Sequence, residues 1–268
     1  MNWLEALVLA VVQGFTEFLP VSSDGHLVLG GALFGELPGG FLRYELLLHI
    51  GTVLAALAFY RRDVFGILRS LAAPRDPRSR DSFTTALLVL AALVPTFIVV
   101  KAFEGFFEGL HTVPASAVAG LAINGAMLIA ASRFAPAGTL DLVRTPWWKA
   151  GLIGLAQSLA PVPGISRSGT TIVAALFCGL RREEAVRFSF LLSIPTVAGA
   201  ALLKLAGDAG PRAAEPAGMS AAGIALAAVT GYLAILLVLR WTRDGRLWQF
   251  GVYCWAVAAL AAALLPRR

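Results

Sequence analysis

Long apolar runs alternate with short polar segments along most of the chain. Six of these runs come close to the length of about 20 residues that a helix needs to cross a bilayer. They cover residues 44 to 60, 83 to 102, 114 to 133, 186 to 205, 220 to 239 and 248 to 265. Because such runs are typical of membrane-spanning helices, the pattern predicts an all-α integral membrane protein with six transmembrane helices.

Two further apolar regions, residues 2 to 35 and 147 to 180, are each interrupted near the middle. The interruptions read LPVSSDG and PVPGISRSG, which combine proline and glycine with polar residues. Irregular backbone at membrane depth is tolerated only where protein or a water-filled cavity satisfies its polar groups. Each region is therefore predicted to be a re-entrant helix-loop-helix hairpin, and the two hairpins require a shared polar cavity.

An internal repeat relates the two interrupted regions. Shifting the chain by 144 residues aligns residues 3 to 60 with residues 147 to 204 at 13 identical positions and brings the two interruptions into register. The identical pairs include Gln13 with Gln157. We interpret this match as an internal duplication.

The duplication predicts one membrane domain over residues 1 to 268, with repeat halves at about 1 to 134 and 146 to 266. Each half then has one re-entrant hairpin and three spans, and three is an odd number of crossings. The second half must therefore be inverted relative to the first, which makes an inverted-topology internal repeat. In that arrangement the hairpins enter from opposite faces and their tips can meet near the middle of the membrane.

Composition and charge agree with a membrane protein. Hydrophobic residues make up 58% of the chain and charged residues 14%, whereas roughly a quarter of an average soluble domain is charged. The net charge of +6 does not indicate nucleic-acid binding, because the arginines cluster between apolar runs without a basic stripe and interleaved aromatic residues. If the loop at residues 61 to 80 is cytoplasmic, fifteen Lys and Arg residues lie on that side and six on the other. This bias predicts that both termini face outward.

The helix that enters the first hairpin carries two polar residues on one face. Gln13 and Glu17 are four residues apart, so their side chains point in the same direction. An ionisable residue inside the membrane costs at least about 2.5 kcal/mol by insertion scales. A carboxylate in this position is therefore a candidate functional group.

The returning helix of the first hairpin begins with further polar residues. Ser22, Ser23 and Asp24 follow the proline, and any of them can cap the helix, whose free N–H groups can bind an anion. His26 lies in the first turn of that helix, where it could donate or accept a proton.

The second interruption has a different chemistry. It places Ser166, Arg167, Ser168, Thr170 and Thr171 around a glycine at the start of another helix. Arginine offers a planar set of donors that suits phosphate oxygens, and hydroxyl groups and N-terminal amides add further donors. The segment therefore predicts a phosphate-binding site.

Each of these residues alone has a simpler explanation. The serines could be ordinary helix caps, Glu17 could lie at the membrane interface, His26 could bind a buried carbonyl group, and Arg167 could only join the two hairpins. Together, a carboxylate, hydroxyl groups, an imidazole and an arginine at two related interruptions are hard to explain by packing.

Two other polar groups rank lower as site candidates. Glu45 and His49 are four residues apart on the first span, and they either line the same cavity or have no part in it. Glu104, Glu108 and His111 fall in an outward connection that we interpret as a solvated or interfacial amphipathic helix.

The two interruptions resemble the motifs of a known family. QGFTEFLPVSSDGH, at residues 13 to 26, and PGISRSGTT, at residues 163 to 171, are similar to the two signature segments of bacterial undecaprenyl-diphosphate phosphatases of the bacitracin-resistance type. The resemblance covers essentially the whole chain. It implies a multi-pass enzyme of the bacterial inner membrane, open to the outer side, that hydrolyses the lipid diphosphate to its monophosphate and so recycles the carrier for cell-wall synthesis. It also implies a divalent cation, Mg²⁺ or Ca²⁺, and a homodimer.

The resemblance also implies roles for individual residues. The family's two functional glutamates fall on Gln13 and Glu17, so this chain has one carboxylate fewer. Our hypothesis is that Asp24, at a position where threonine is frequent, restores that charge. These three residues are the expected cation ligands. Ser23 is the expected nucleophile, with His26 or Glu17 as its base, and a water nucleophile would use the same residues. The expected phosphate ligands are Ser22, Ser166, Arg167, Ser168, Thr170 and Thr171.

A transporter or flippase of an anionic prenyl-phosphate lipid is the alternative, because inverted repeats with interrupted helices are a transporter architecture. Hydrolysis requires a nucleophile beside a base, whereas carriage does not.

Overall fold

The computed structural model describes residues 2–34, 41–73, 76–207 and 216–265. Residue 35, at the end of the first interrupted region, lies outside them, as do the basic residues in 208–215 and 266–268 that entered the orientation count. The described residues form twelve α-helices: α1 (Trp3–Phe18), α2 (Ser23–Phe34), α3 (Phe41–Phe59), α4 (Arg61–Ala72), α5 (Arg80–Ala102), α6 (Glu104–His111), α7 (Pro114–Phe134), α8 (Trp147–Gln157), α9 (Arg167–Phe177), α10 (Arg182–Gly207), α11 (Ala217–Arg243) and α12 (Leu247–Leu264). The all-α prediction is confirmed.

Five helices in the described part of the chain are long and apolar enough to cross a membrane. Their apolar spans are Pro77–Ala102, Pro114–Phe134, Arg182–Leu203, Ala217–Arg243 and Leu247–Leu264. The first predicted span falls on α3, which has a shorter apolar part, Tyr44–Phe59. The chain is therefore a helical membrane protein with several helices of spanning length.

Both interrupted regions fold as two helices joined by a break. The first break, residues 19–22, separates α1 from α2, and the second break, residues 158–166, separates α8 from α9. Helices α8 and α9 have 11 residues each. At 1.5 Å per residue each is about 16 Å long, roughly half of the hydrocarbon thickness.

The chain before α8 lies beside the chain after α9. Leu140 donates its N–H to the Gly179 carbonyl at 3.1 Å, and Arg181 donates its N–H to the Leu140 carbonyl at 3.0 Å. The Arg181 guanidinium also pairs with Asp141 at 2.6 Å. The α8–α9 hairpin therefore starts and ends at the same place in the molecule.

Serine side chains cap the helices that leave the two breaks. The Ser22 hydroxyl accepts the Gly25 N–H at 3.2 Å, and the Ser166 hydroxyl accepts the Gly169 N–H at 3.1 Å. Each serine satisfies a donor that the start of a helix leaves free. Ser22 adopts a φ of 66°, a left-handed conformation that is uncommon for a residue with a side chain.

The two predicted halves are packed through one another. Helix α1 lies against α11, α8 lies against α5, and α7 lies against α12. Glycines permit these close approaches, because a Cβ added at Gly14 would overlap the Thr230 hydroxyl and one at Gly154 would overlap the Ala92 carbonyl. At these glycines the helices of the two halves therefore pack closer together than any larger residue would allow.

The main apolar core lies around α9 and α10, next to the breaks. Phe188, Ile172 and Leu192 are fully buried there, and the rings of Phe18 and Phe190 meet edge to face at 5.3 Å. This packing fixes the end of α1 against α10.

Two connections contain helices of their own. The outward connection forms α6, as its amphipathic pattern predicted. The loop at 61–80 contains α4, whose residues Phe65, Leu68 and Leu71 are 69%, 60% and 57% exposed. Arg187 of α10 holds α4 through Asp63, with Nε donating at 3.0 Å.

Candidate active site

The two breaks lie directly against each other. The Ser168 hydroxyl, in the first turn of α9, donates to the Leu19 carbonyl of the first break at 3.3 Å. A Cβ added at Gly25 would lie 2.6 Å from the Gly164 Cα, so only glycines allow this contact. This contact brings the polar residues beside the first break close to those beside the second break.

Glu17 is the centre of the resulting polar cluster. Its Oε1 accepts a hydrogen bond from Arg167 at 2.7 Å, which joins α1 to α9. Its Oε2 accepts one from the Gln13 amide at 3.0 Å and lies 3.5 Å from the His49 Nε2. The carboxylate side chain is 8% exposed, and an ionised carboxylate needs such partners when it is taken out of water.

His49 belongs to this cluster, which settles a point that the sequence left open. Its Nδ1 contacts the Glu45 carbonyl at 2.9 Å, and its Nε2 lies 3.3 Å from the Gln13 amide nitrogen. A ring nitrogen facing a carbonyl must carry a proton. In the neutral ring the Nε2 is therefore the acceptor, and it can take a hydrogen bond from Gln13.

The Arg167 guanidinium has a terminal nitrogen that makes no hydrogen bond within the described residues. One terminal nitrogen, NH2, pairs with Glu17, while the other, NH1, is buried without a partner among the described residues. An unpaired buried donor is costly unless something else satisfies it. The two nitrogens form a planar fork that fits a second anionic group beside Glu17.

Ser23 and Asp24 lie at the start of α2, on the side of the cluster. Ser23 lines a narrow cleft together with Gln13 and Glu45. Asp24 is half-buried and makes no hydrogen bond or ion pair within the described chain. It is close enough to His49 to act on it electrostatically. Both side chains are therefore available to a ligand.

His26 faces a different helix. Its Nδ1 contacts the Ser22 carbonyl at 2.7 Å and its Nε2 contacts the Tyr253 hydroxyl of α12 at 2.9 Å. The two rings are stacked at 5.7 Å. In the neutral ring Nδ1 donates to Ser22, so Nε2 accepts from Tyr253.

Most hydroxyl groups of the second motif bind within the protein. Thr170 donates to the Ser166 carbonyl at 2.7 Å. Thr171 donates to the Arg167 carbonyl at 2.9 Å and lies 2.6 Å from the Ser189 hydroxyl. All the hydroxyl residues of this motif are at most 3% exposed. They hold the start of α9 in place, and their predicted contact with phosphate stays a prediction.

Sequence reasoning missed three residues that support the cluster. Asn124 of α7 bonds to both breaks, Tyr253 bonds to His26, and Ser189 bonds to Thr171. Asn124 is an isolated amide in an apolar span, and this isolated polar residue could have pointed to the site. Nothing in the pattern around Tyr253 or Ser189 pointed to the site.

The donor set can be compared with the needs of a divalent cation. No group of three His, Cys, Asp or Glu side chains suited to a metal ion occurs among the described residues. Mg²⁺, however, is often bound by one or two carboxylates, with substrate phosphates completing its ligands. Glu17, the Gln13 amide oxygen and Asp24 fit that sparser arrangement.

Comparison with known proteins gives consistent results over nearly the full length. The family described as Bacitracin resistance protein BacA matches residues 6–260. The chain is 43% identical to the undecaprenyl-diphosphatase of Rubrobacter xylanophilus over 99% of each chain. It is 38% identical to undecaprenyl-diphosphatase 1 of Shouchella clausii, over 97% of this chain and 95% of the relative. It is 40% identical to the undecaprenyl-diphosphatase of Desulfatibacillum aliphaticivorans over 97% of each.

Proposed function

The chain belongs to the bacitracin resistance protein BacA family, and on that premise we propose that it is an undecaprenyl-diphosphatase. It hydrolyses undecaprenyl diphosphate to undecaprenyl phosphate and inorganic phosphate, in a membrane. Named relatives of 38% to 43% identity support this activity. The observation that carries it to the site is the free guanidinium nitrogen of Arg167 beside the buried Glu17.

Arg167 is the proposed phosphate ligand. Its NH2 is held by Glu17, so the guanidinium is already oriented, and its NH1 is left to donate to a phosphate oxygen. Phosphoryl transfer is catalysed mainly by positioning and by neutralising charge. Ser22 and the hydroxyl groups of the second motif contribute by shaping the starts of α2 and α9, where free N–H groups favour an anion.

Ser23 is the proposed nucleophile. Its hydroxyl lines the cleft beside Gln13 and Glu45. Attack forms a bond from Oγ to the terminal phosphorus, the bond from that phosphorus to the bridging oxygen breaks, and the lipid monophosphate leaves with the electron pair. Water then hydrolyses the phosphoserine to release phosphate. A direct attack by water at the same phosphorus would need the same residues.

Glu17 or His26 is the proposed base for the attacking hydroxyl. Glu17 already has a partner for each oxygen. The His26 Nε2 is an acceptor whose present partner is Tyr253.

We further propose that Glu17, Gln13 and Asp24 hold a divalent cation, Mg²⁺ or Ca²⁺, together with the substrate phosphates. A bound cation would neutralise phosphate charge during transfer. These residues supply an amide oxygen at the cleft, from Gln13, the carboxylate of Asp24, and the buried carboxylate of Glu17, which Arg167 orients.

The proposed membrane arrangement is an inverted repeat with two re-entrant hairpins, six spans and an outward-facing site in the bacterial inner membrane. The backbone hydrogen bonds of Leu140 with Gly179 and Arg181 support re-entry of α8 and α9 on one face. His111 of α6 contacts the Pro161 carbonyl of the second break at 3.0 Å, and α6 lies in a connection that the count of basic residues assigns to the outside. The homodimer implied by the family resemblance stays a prediction.

Phosphate release tests the function directly. Purified protein in detergent, given a prenyl diphosphate and Mg²⁺, should release inorganic phosphate, and Arg167→Ala or Glu17→Ala should abolish release without loss of folded protein. A wild-type protein that releases none would overturn the proposal. The transporter alternative is less favoured, because the relatives are named for hydrolysis and because Ser23 lies in the cleft.

A further inference from the structure

Asn124 joins the two breaks through one side chain. It lies on α7 and is fully buried. Its Nδ2 donates to the Pro20 carbonyl of the first break at 2.8 Å, and its Oδ1 accepts the Ser166 N–H of the second break at 3.1 Å. The second N–H of the amide points to the Cys254 sulfur at 3.3 Å. The amide therefore donates to one break and accepts from the other.

The two bonds of Asn124 fall close to the charged pair at the centre of the site. Pro20 lies three residues after Glu17, and Ser166 directly precedes Arg167. A shift of either break would carry one member of that pair with it. The separation between the two breaks thus sets where the Arg167 fork lies relative to Glu17 and to the cleft.

The surroundings of Asn124 leave the two break atoms with little else to bind. The Cys254 thiol approaches the Pro20 carbonyl only at 3.9 Å and is a weak donor. The Ser166 N–H has no second acceptor among the described residues. Gly120, one turn earlier on α7, allows the second break to approach, since a Cβ there would overlap the Pro163 carbonyl. Helix α7 therefore packs against the second break at Gly120 and binds both breaks through the Asn124 side chain.

We propose that Asn124 is a positioning residue for diphosphate hydrolysis, which fixes the two breaks to each other and so holds Glu17 and Arg167 in register. The proposal rests on the proposed function. It predicts that loss of the amide lowers turnover more than substrate binding, because Asn124 contacts the two breaks next to Glu17 and Arg167 and so acts on the alignment of the reacting groups. A misplacement of about 1 Å can cost about 100-fold in rate.

Two substitutions separate the contacts of Asn124. Asn124→Asp keeps an acceptor for the Ser166 N–H but places a carboxylate oxygen against the Pro20 carbonyl. Asn124→Ala removes both contacts without adding charge. Tyr44→Phe is the matched control, because Tyr44 is fully buried and its hydroxyl joins α3 to the start of α1 through the Ala6 carbonyl at 3.1 Å, away from the first break.

The experiment measures kcat and KM for a prenyl diphosphate, per folded molecule and below the melting temperature of each variant. Both Asn124 variants should lose at least tenfold in kcat with KM within about threefold of wild type, while Tyr44→Phe should lower the melting temperature and keep kcat. If Asn124→Asp does not fold, Asn124→Ala decides alone. A folded Asn124 variant with kcat within twofold of wild type would overturn the proposal.

Hydrogen exchange supplies a readout that does not depend on activity. The amide of Ser166 should exchange faster in Asn124→Ala and at the wild-type rate in Asn124→Asp, which keeps the acceptor. Equal exchange in wild type and Asn124→Ala would contradict the contact itself. A wild-type enzyme without phosphate release would instead sink the proposed function, and the exchange result would still report on the two breaks.

Discussion

Arg167 holds Glu17 with NH2, while NH1 has no partner in the part of the chain that the structure describes. A residue with the same charge and a single donor group should therefore not replace it. A lysine at this position can pair with Glu17 or with a phosphate oxygen, but its one ammonium does not present the planar fork that serves both. We expect Arg167→Lys to lower kcat/KM for a prenyl diphosphate by about 100-fold, which corresponds to about 2.7 kcal/mol. Release of inorganic phosphate measures the effect.

Arg182→Lys is the control for that substitution. Arg182 also begins a helix, and its NH1 donates to the Arg243 carbonyl on an exposed surface at 3.0 Å. Its kcat/KM should equal that of wild type. Arg167→Lys with wild-type kcat/KM would show that the free NH1 does not bind substrate.

Asp24 has no hydrogen bond or ion pair within the described chain, whereas both oxygens of Glu17 are bonded, to Arg167 and to Gln13. If Asp24 replaces the charge that Gln13 lacks, Asp24→Asn should raise the Mg²⁺ concentration for half-maximal activity about tenfold, which is about 1.4 kcal/mol. At saturating Mg²⁺ the turnover should recover. Titration of phosphate release with Mg²⁺ tests this, with Asp81→Asn of α5 as an exposed acidic control. An unchanged midpoint would remove Asp24 from the proposed ligands.

At the residue scale the sequence predicted that polar groups of the two breaks would meet, as Glu17 and Arg167 do, but not how each group would bind. The four-residue spacing placed Gln13 beside Glu17, and in the structure the Gln13 Nε2 donates to the Glu17 Oε2 at 3.0 Å. Thr170 and Thr171 looked equally available for phosphate, yet they donate to backbone carbonyls of α9. A hydroxyl group near a helix start can bind ligand or backbone, and only the local geometry decides.

Helix crossings give a test at the scale of single elements, because α8 carries two glycines in different surroundings. A Cβ at Gly154 would overlap the Ala92 carbonyl of α5, whereas one at Gly151 would lie at an ordinary 3.9 Å from the Ala91 carbonyl. Gly154→Ala should therefore destabilise the protein by about 1–3 kcal/mol through overpacking. Gly151→Ala should be neutral or stabilise it by up to about 1 kcal/mol through helix propensity.

Thermal unfolding in detergent measures the difference between the two variants. The melting temperature should fall for Gly154→Ala and hold or rise for Gly151→Ala. Equal melting temperatures would mean that α8 can move away from α5 without cost, so the close approach would not be a feature of the folded state.

Element boundaries show where sequence patterns are informative. The two breaks were predicted because proline, glycine and polar residues interrupt apolar runs, and both occur where the pattern placed them. Helix α4 was not predicted, because its charged segment reads as a loop. Its exposed Phe65, Leu68 and Leu71 form an apolar face of the kind found in interfacial helices.

For the molecule as a whole, the offset of 144 residues predicted that two distant interruptions would meet, and the contact between Ser168 and Leu19 brings them together. The repeat did not predict that α7 would support both breaks through Asn124. That contact joins three segments far apart in sequence, and no local pattern specifies it. Burial of a single amide in an apolar span is a weak signal until its partners are known.

The orientation of the whole molecule can be tested by labelling single cysteines in a variant with Cys178→Ala and Cys254→Ala. Arg69 of α4 and Glu108 of α6 are exposed, and only α5 separates their helices. In intact spheroplasts an impermeant maleimide should label Glu108→Cys and should label Arg69→Cys only after permeabilisation. The positive-inside bias places α4 in the cytoplasm.

The same labelling tests re-entry of the second hairpin. Arg144 and Arg182, both exposed, lie just before α8 and just after α9. The backbone hydrogen bonds of Leu140 with Gly179 and Arg181 hold these two ends together. Cysteines at both positions should react only after permeabilisation, because a hairpin that returns leaves its ends on one face. If one of them reacts in intact spheroplasts, the hairpin crosses the membrane. If the α8–α9 region crossed the membrane once, helices α10 to α12 would each cross in the opposite direction. The second half would then no longer be inverted relative to the first.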